Sequence, residues 1–101
     1  MITMKQPLFK LGPVLATAGA IEELQKAGQS PWEFLSRHVA GDDWGILDDE
    51  DKAANEAAVR DGSRILSAYL LKTGEKLWII TAAEDDNGNR AATTLLLPDE
   101  Y

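Results

Sequence analysis

The stretch that decides the fold runs from Arg64 to Leu97 and reads RILSAYLLKTGEKLWIITAAEDDNGNRAATTLLL. Apolar, β-branched and aromatic residues form three short runs within it, and residues typical of turns separate these runs. The predicted strands are Ile65–Leu71, Leu77–Thr81 and Ala92–Leu97. Short connections between consecutive strands favour an antiparallel meander.

The two turns set the register of the meander. Asn87-Gly88 is typical of a two-residue type I′ hairpin, which would place Asp85 opposite Arg90. A turn centred on Gly74-Glu75 would connect the first two strands in the same way. Because side chains alternate along a strand, these registers divide the strand residues between two faces.

The bulkier of the two faces is the predicted core, which helices would cover. It carries Ile65, Tyr69, Leu71, Trp78, Ile80, Thr93, Leu95 and Leu97. The second face carries Leu66, Ala68, Leu70, Ile79, Thr81, Ala83, Thr94 and Leu96. This second face is also mostly apolar, whereas a solvated sheet face is usually polar. Either another part of the chain covers it or it contacts a partner.

Three helices are predicted before the strands, over residues 17–27, from 30 to about 40, and from 48 to about 61. Each begins at a residue suited to capping and ends near a glycine. In the second helix, Ser30 and Glu33 fit a capping box and Trp32 is expected to be buried. The segment from Phe9 to Leu15 could add a fourth, edge strand, since Pro13 suits an edge.

The predicted fold is therefore α+β: a three- to four-stranded antiparallel β-meander with two to three N-terminal helices packed on one face. A chain of 101 residues is expected to form one domain, and residues 1–7 are expected to be loosely held.

Composition excludes several function classes. The chain has no cysteine, which removes disulfides and thiolate chemistry. Its 10 basic and 17 acidic residues give a formal charge of −7, which argues against direct binding to nucleic acid or to anionic membranes. No apolar run reaches the roughly 18 residues of a membrane span. We expect a cytoplasmic protein.

No pattern predicts a catalytic, cofactor-binding or metal-binding site. His38 is the only histidine, so the chain lacks the ligands of a typical zinc site. We interpret His38 as a structural residue. A catalytic triad would need His38 to meet one of four serines and a carboxylate, namely Ser30, Ser36, Ser63 or Ser67 with any acid. Nothing in the spacing indicates this.

An acidic run is the candidate interaction site. It contains Asp42, Asp43, Asp48, Asp49, Glu50 and Asp51. One interpretation is helix capping with charge that complements the helix dipole. The other is a docking surface for a basic protein, for which the candidate residues are Asp42, Asp43, Asp49 and Glu50.

The chain also resembles a family of short bacterial proteins called plasmid-related proteins or type I restriction endonuclease subunit M. The resemblance rests on AGQSPWEFLSRHV from Ala27, DGSRILSAY from Asp61, GEKLWIIT from Gly74 and RAATTLLLPDEY from Arg90. It implies a bacterial setting, often on a mobile element. It brings no mechanism, because 101 residues cannot hold a methyltransferase with its cofactor site.

The leading hypothesis is a small, acidic, non-catalytic protein-binding module that acts as an inhibitor or adaptor of a nucleic-acid-handling system. Two alternatives stay open. One is a toxin-like RNA-cleaving enzyme, which the charge balance disfavours. The other is a structural homodimer that associates through the second sheet face.

Overall fold

The computed structural model describes residues 7–41 and 43–101. Its elements are β1 (Val14–Ala16), α1 (Ala18–Ala27), α2 (Pro31–Ala40), α3 (Asp49–Asp61), β2 (Ile65–Leu70), β3 (Lys76–Thr81), β4 (Thr93–Leu96) and a 3-10 turn, η1 (Pro98–Glu100). The three predicted helices and the three predicted meander strands are present, with ends that differ by at most one residue. The predicted edge segment Phe9–Leu15 forms a strand only from Val14, and this strand ends at Ala16. The prediction of a loosely held segment over residues 1–7 falls, except for Pro7, outside the described residues.

The strands form one four-stranded sheet in the order β1-β4-β3-β2. β2, β3 and β4 make the predicted antiparallel meander. β1 lies at the predicted edge but pairs parallel with β4, so the sheet is mixed and the fully antiparallel prediction is wrong. Parallel neighbours require a long crossover, and here all three helices and two strands lie between β1 and β4.

Both hairpins have three-residue loops, not the predicted two-residue turns. In the second, Gly88 N–H donates to the carbonyl of Asp85 at 3.0 Å, and Asp85 N–H donates to the carbonyl of Asn89 at 2.8 Å. A type I′ turn needs two consecutive residues with positive φ. Among the described residues only glycines have positive φ, including Gly74 at 93° and Gly88 at 76°. A type I turn followed by a left-handed glycine gives the three-residue loop.

The longer loops shift the register. Thr81 lies opposite Thr93 and Arg90 opposite Glu84, each one residue from the predicted pairing. Tyr69 lies opposite Leu77, three residues from Ile80, which a turn centred on Gly74-Glu75 would place there. Because both shifts are odd, the side chains of β3 point to the face opposite the predicted one, while those of β2 and β4 keep their predicted faces.

The core therefore differs from the prediction in its central strand. α1 and α2 pack on the side that carries Tyr69, Leu77, Ile79 and Leu95. The full core cluster consists of Ala20, Leu24, Phe34, Leu35, Tyr69, Leu71, Leu77, Ile79 and Leu95. The prediction that Trp78 and Ile80 belong to this core is wrong. Both are partly exposed residues of the other side.

The predicted N-caps are confirmed. The side chain of Thr17 accepts from Ala20 N–H at 3.1 Å, and that of Asp48 accepts from Asp51 N–H at 2.8 Å. Each of the three helices also ends at a glycine with left-handed backbone. These local signals are reliable because a cap satisfies donors that the helix itself leaves free.

The predicted capping box of α2 is only half formed. Ser30 accepts from Trp32 N–H at 3.2 Å, but the carboxylate of Glu33 accepts from the side chain of Gln29 at 2.9 Å. Trp32 is 65% exposed, so its predicted burial is wrong. α2 turns Phe34, Leu35 and His38 to the core instead.

The outer edge of β2 is covered by other parts of the chain. Ala68 N–H donates to the carbonyl of Trp44 at 3.1 Å, and Ile46 N–H donates to the carbonyl of Ala68 at 2.7 Å. Asn55 of α3 donates to the carbonyl of Leu66 at 2.5 Å and accepts from its N–H at 3.1 Å. These bonds satisfy the backbone groups that an edge strand would expose.

Candidate functional site

The acidic run is largely used by local structure. Asp43 accepts from the guanidinium of Arg37 at 2.7 Å and from Gly45 N–H at 3.0 Å. The hydrogen bond from Arg37 lowers the pKa of Asp43 below its ordinary value. Asp42 lies outside the described residues. The carboxylate of Asp43 is therefore already paired within the chain.

The rest of the acidic run surrounds the start of α3. Asp48 is the N-cap, and Asp49, Glu50 and Asp51 occupy the first turn. Carboxylates at this position complement the partial positive charge of the helix N-terminus. Of the three candidate docking residues that the structure describes, Asp49 and Glu50 are exposed and have no described ion-pair partner. The structure thus gives most of the run a local role.

His38 is the centre of a buried polar network. Its Nδ1 lies 2.5 Å from Ser67 Oγ, and its Nε2 lies 2.8 Å from Thr81 Oγ1. The hydroxyl of Thr81 lies 2.7 Å from that of Thr93, which donates to the carbonyl of Leu11 at 2.7 Å. The network joins α2 to three neighbouring strands and to the segment before β1.

The carbonyl of Leu11, at the end of this network, fixes the direction of each hydrogen bond. It can only accept, so Thr93 donates to it and accepts from Thr81. Thr81 then accepts from Nε2–H of His38, which leaves Nδ1 of the neutral ring to accept from Ser67. Every hydroxyl and ring nitrogen therefore has a partner when His38 is neutral.

Burial, and secondarily the charge of Arg90, lower the pKa of His38 from 6.5 to about 3. His38 and Ser67 are both 0% exposed. No described carboxylate hydrogen-bonds to the imidazole. The serine–histidine pair thus has neither the orienting acid nor the substrate access of a nucleophilic site. Its chemistry is that of a satisfied core network.

Sequence reasoning missed this network. It placed Thr81 on the wrong face because of the register error, and it treated Thr93 as an ordinary strand residue. Ser67 was considered as a partner of His38 only for a catalytic triad, which the spacing did not indicate. The available signal was the recurrence of hydroxyl residues in three adjacent strands, below a helix that carries the single histidine.

Arg90 forms a second buried polar site. Its guanidinium donates to the carbonyls of Ser63, Ala82 and Ala58 at 2.8, 2.9 and 3.3 Å. It also lies 5.6 Å from the ring centroid of Phe9. Arg90 was expected opposite Asp85, but it lies opposite Glu84, whose Oε1 is 3.9 Å from Nη2 of Arg90. Its hydrogen bonds link α3 to the residues just before β2 and just after β3.

The side of the sheet away from α1 and α2 is the remaining surface of note. We call it the open face; its strand residues are Leu15, Leu66, Ala68, Leu70, Trp78, Ile80, Thr94 and Leu96. Leu15 and Leu70, near its two edges, are each 55% exposed, whereas Ala68 and Leu96 are buried and the other four residues are half-buried. Only one of these eight residues, a threonine, is polar, whereas a solvated antiparallel face is normally polar.

An aromatic residue after η1 packs on the central strand of the open face, and charged groups lie beside this face. Tyr101 packs edge-on against Trp78, with ring centroids 5.7 Å apart, and Arg64 donates to its hydroxyl. On the β2 side, a small pocket includes Asp51 of α3 together with Arg64 and Leu66. The acidic first turn of α3 therefore borders the open face.

Within the described ranges, no group of three or more histidine, cysteine or carboxylate residues is arranged to hold a metal ion. No helix in that part of the chain is long and apolar enough to cross a membrane. Comparison with protein-family models, curated proteins and solved structures finds no match for this chain.

Proposed function

We propose that the chain is a small, acidic, non-catalytic protein-binding module and that the open face is its docking surface. The observation that carries this proposal is the apolar character of a sheet face that α1 and α2 leave uncovered. Exposed apolar patches on small proteins commonly mark interaction sites.

The charge of the chain indicates the chemistry of the partner. The formal charge is −7, and Asp49 and Glu50 lie exposed at the helix start that borders the open face. A partner with an apolar centre and a basic rim would complement both features. The apolar contact would supply most of the affinity, while the charges would act mainly on the association rate.

The resemblance to plasmid-related and restriction-associated proteins indicates a setting for this activity. In that setting the module would be an inhibitor or adaptor of a nucleic-acid-handling defence system. Such systems present basic surfaces, because binding to phosphate backbones depends on lysine and arginine. The carboxylates of α3 would then meet residues that otherwise contact nucleic acid.

Site-specific photo-crosslinking in bacterial cells tests the proposal. A photoreactive amino acid replaces Leu70 on the open face and, as the matched control, Trp32 on α2; both positions are exposed. We expect one reproducible protein adduct from position 70 and none from position 32. The cross-linked protein is then purified and its affinity measured directly.

Substitution separates a docking contact from chance proximity. Leu70→Asp should weaken binding of the purified partner by roughly tenfold or more, since it places a charge in an apolar contact. Asp49→Asn with Glu50→Gln should slow association and reduce its salt dependence. Adducts from position 32 alone, or unchanged affinity of the Leu70→Asp variant, would overturn the proposal.

A further inference from the structure

The two edges of the sheet differ. Trp44–Ile46 and Asn55 occupy the outer edge of β2, as described above. β1 forms the opposite edge, and all three of its residues are exposed. An uncovered edge presents backbone donors and acceptors that favour addition of another strand.

The bonds between β1 and β4 show which groups of β1 point outward. Thr93 N–H donates to the carbonyl of Pro13, and Thr17 N–H donates to the carbonyl of Leu95. Because alternate residues of a strand face the same neighbour, Leu15 also points its N–H and C=O at β4. The N–H and C=O of Val14 and Ala16 therefore point away from the sheet, and no described residue bonds to them.

We propose that β1 pairs with β1 of a second copy, antiparallel and centred on Leu15. In this register Val14 lies opposite Ala16 of the partner copy, and the two exchange both backbone hydrogen bonds. By symmetry, Ala16 of the first copy exchanges the same two hydrogen bonds with Val14 of the second. The outward N–H and C=O groups of Val14 and Ala16 are then all satisfied in both copies. The two Leu15 side chains meet across the axis in a non-hydrogen-bonded pair.

Three observations favour a second copy over a foreign strand. The free groups are symmetric about one residue, as a two-fold axis requires. The run Gly12–Ala16 contains no charged side chain, so it lacks the lysine that often prevents strand addition at a sheet edge. The covered edge of β2 stops further addition, so association closes at a dimer and does not continue into a fibre.

The properties of this dimer follow from its size and charge. Three residues per edge make a small interface, so the association is weak and is best measured at high protein concentration. Each chain carries a formal charge of −7, so salt should strengthen the association by screening repulsion. Docking of a basic partner on the open face has the opposite salt dependence. The dimer does not depend on the proposed function.

Single-cysteine variants test the register, because the chain contains no cysteine of its own. A non-hydrogen-bonded antiparallel pair brings Cα atoms to about 4.5 Å, within the range that a disulfide spans. Leu15→Cys should oxidise to a covalent dimer at least roughly tenfold faster than Leu70→Cys, since pairing raises the effective thiol concentration. Leu70 is the matched control: it is equally exposed and lies on the same face at the other edge.

Charge variants provide the second test. Leu15→Asp and Leu15→Lys should each abolish the concentration-dependent mass increase that sedimentation detects for the wild type, whereas an equimolar mixture should restore it. Equal rates for the two cysteine variants would overturn the proposal. So would a wild type that stays monomeric at millimolar concentration in high salt, a result that leaves a partner on the open face unaffected.

Discussion

At the scale of single residues, the most informative side chain is His38. It lies within the core, and its two ring nitrogens accept from Ser67 and donate to Thr81. Protonation would turn Nδ1 into a donor, which would face the Ser67 hydroxyl that now donates to it. It would also place a second positive charge near Arg90. The folded state therefore strongly favours the neutral ring.

Acid should destabilise the protein through this residue. The pKa of His38 is lowered to about 3 in the folded state, so between pH 6.5 and pH 3 the unfolded chain binds more protons. The stabilisation is complete above pH 6.5 and is lost as pH falls. We expect the free energy of unfolding to fall by roughly 1–2 kcal/mol between pH 6.5 and pH 5, a range in which ordinary carboxylates titrate little. Urea denaturation at several pH values measures this slope.

His38→Gln is the control for that slope. Its amide can donate to Thr81 and accept from Ser67, but it does not titrate. The variant should be less stable at pH 8, and its free energy of unfolding should change little between pH 6.5 and pH 5. An equally steep fall in the variant would assign the acid sensitivity to other groups.

At the scale of secondary-structure elements, local signals predicted the helices and strands, but they did not predict the hairpin loop lengths or the pairing of β1. Caps, glycine stops and apolar runs gave the helices and the meander because each depends on a few neighbouring residues. The face of β3 depended on the length of both hairpin loops, and each has three residues where two were predicted. The two resulting register shifts moved Trp78 and Ile80 out of the core. The parallel pairing of β1 depended on a long crossover, which no local pattern reports.

The limits of prediction were similar for the candidate sites. The acidic run was visible in the sequence, but its use by Arg37, Gly45 and the start of α3 depends on their arrangement in space. An apolar second face was also predicted, with the correct residues from β2 and β4. Its central residues changed because the register of β3 changed. The partners of His38 could be found only once Ser67 and Thr81 shared a face.

Two glycines with the same backbone conformation should respond differently to substitution. Gly88 has φ of 76°, and a Cβ there would meet nothing within 4 Å. Gly88→Ala should therefore cost only the left-handed strain, about 1–2 kcal/mol. Gly45 has φ of 82°, and its Cβ would overlap the carbonyl oxygen of Ala68. Gly45→Ala should cost roughly 3 kcal/mol or more, because it also displaces the segment that covers β2.

Chemical denaturation of both variants, with far-ultraviolet circular dichroism to check folding, measures the difference. If both variants lose the same free energy of unfolding, the close contact between Gly45 and β2 adds nothing to the cost of the backbone strain. A Gly88→Ala variant of wild-type stability would contradict the three-residue loop, since an unstrained alanine needs negative φ.

At the scale of the whole molecule, the basic residues are few and several have internal partners. Arg90 is buried against backbone carbonyls, and Arg37 pairs with Asp43 and lies over the ring of Tyr69. Lys26 pairs with Glu22 and Glu23 along α1. The acidic residues outnumber them, 17 to 10, so the long-range field opposes a phosphate backbone.

We therefore expect the protein not to bind DNA or RNA at physiological salt. The reason is electrostatic, so the expectation extends to single and double strands and does not depend on sequence. Fluorescence anisotropy with labelled 20-nucleotide probes at about 50 and 150 mM salt tests it. The matched variant Asp49→Lys with Glu50→Lys raises the net charge by four at exposed positions. If repulsion is the cause, weak binding should appear in this variant first, and only at the lower salt. Micromolar binding by the wild type, falling steeply as salt rises, would instead reveal a basic surface on the folded molecule and would revive the RNA-cleaving hypothesis.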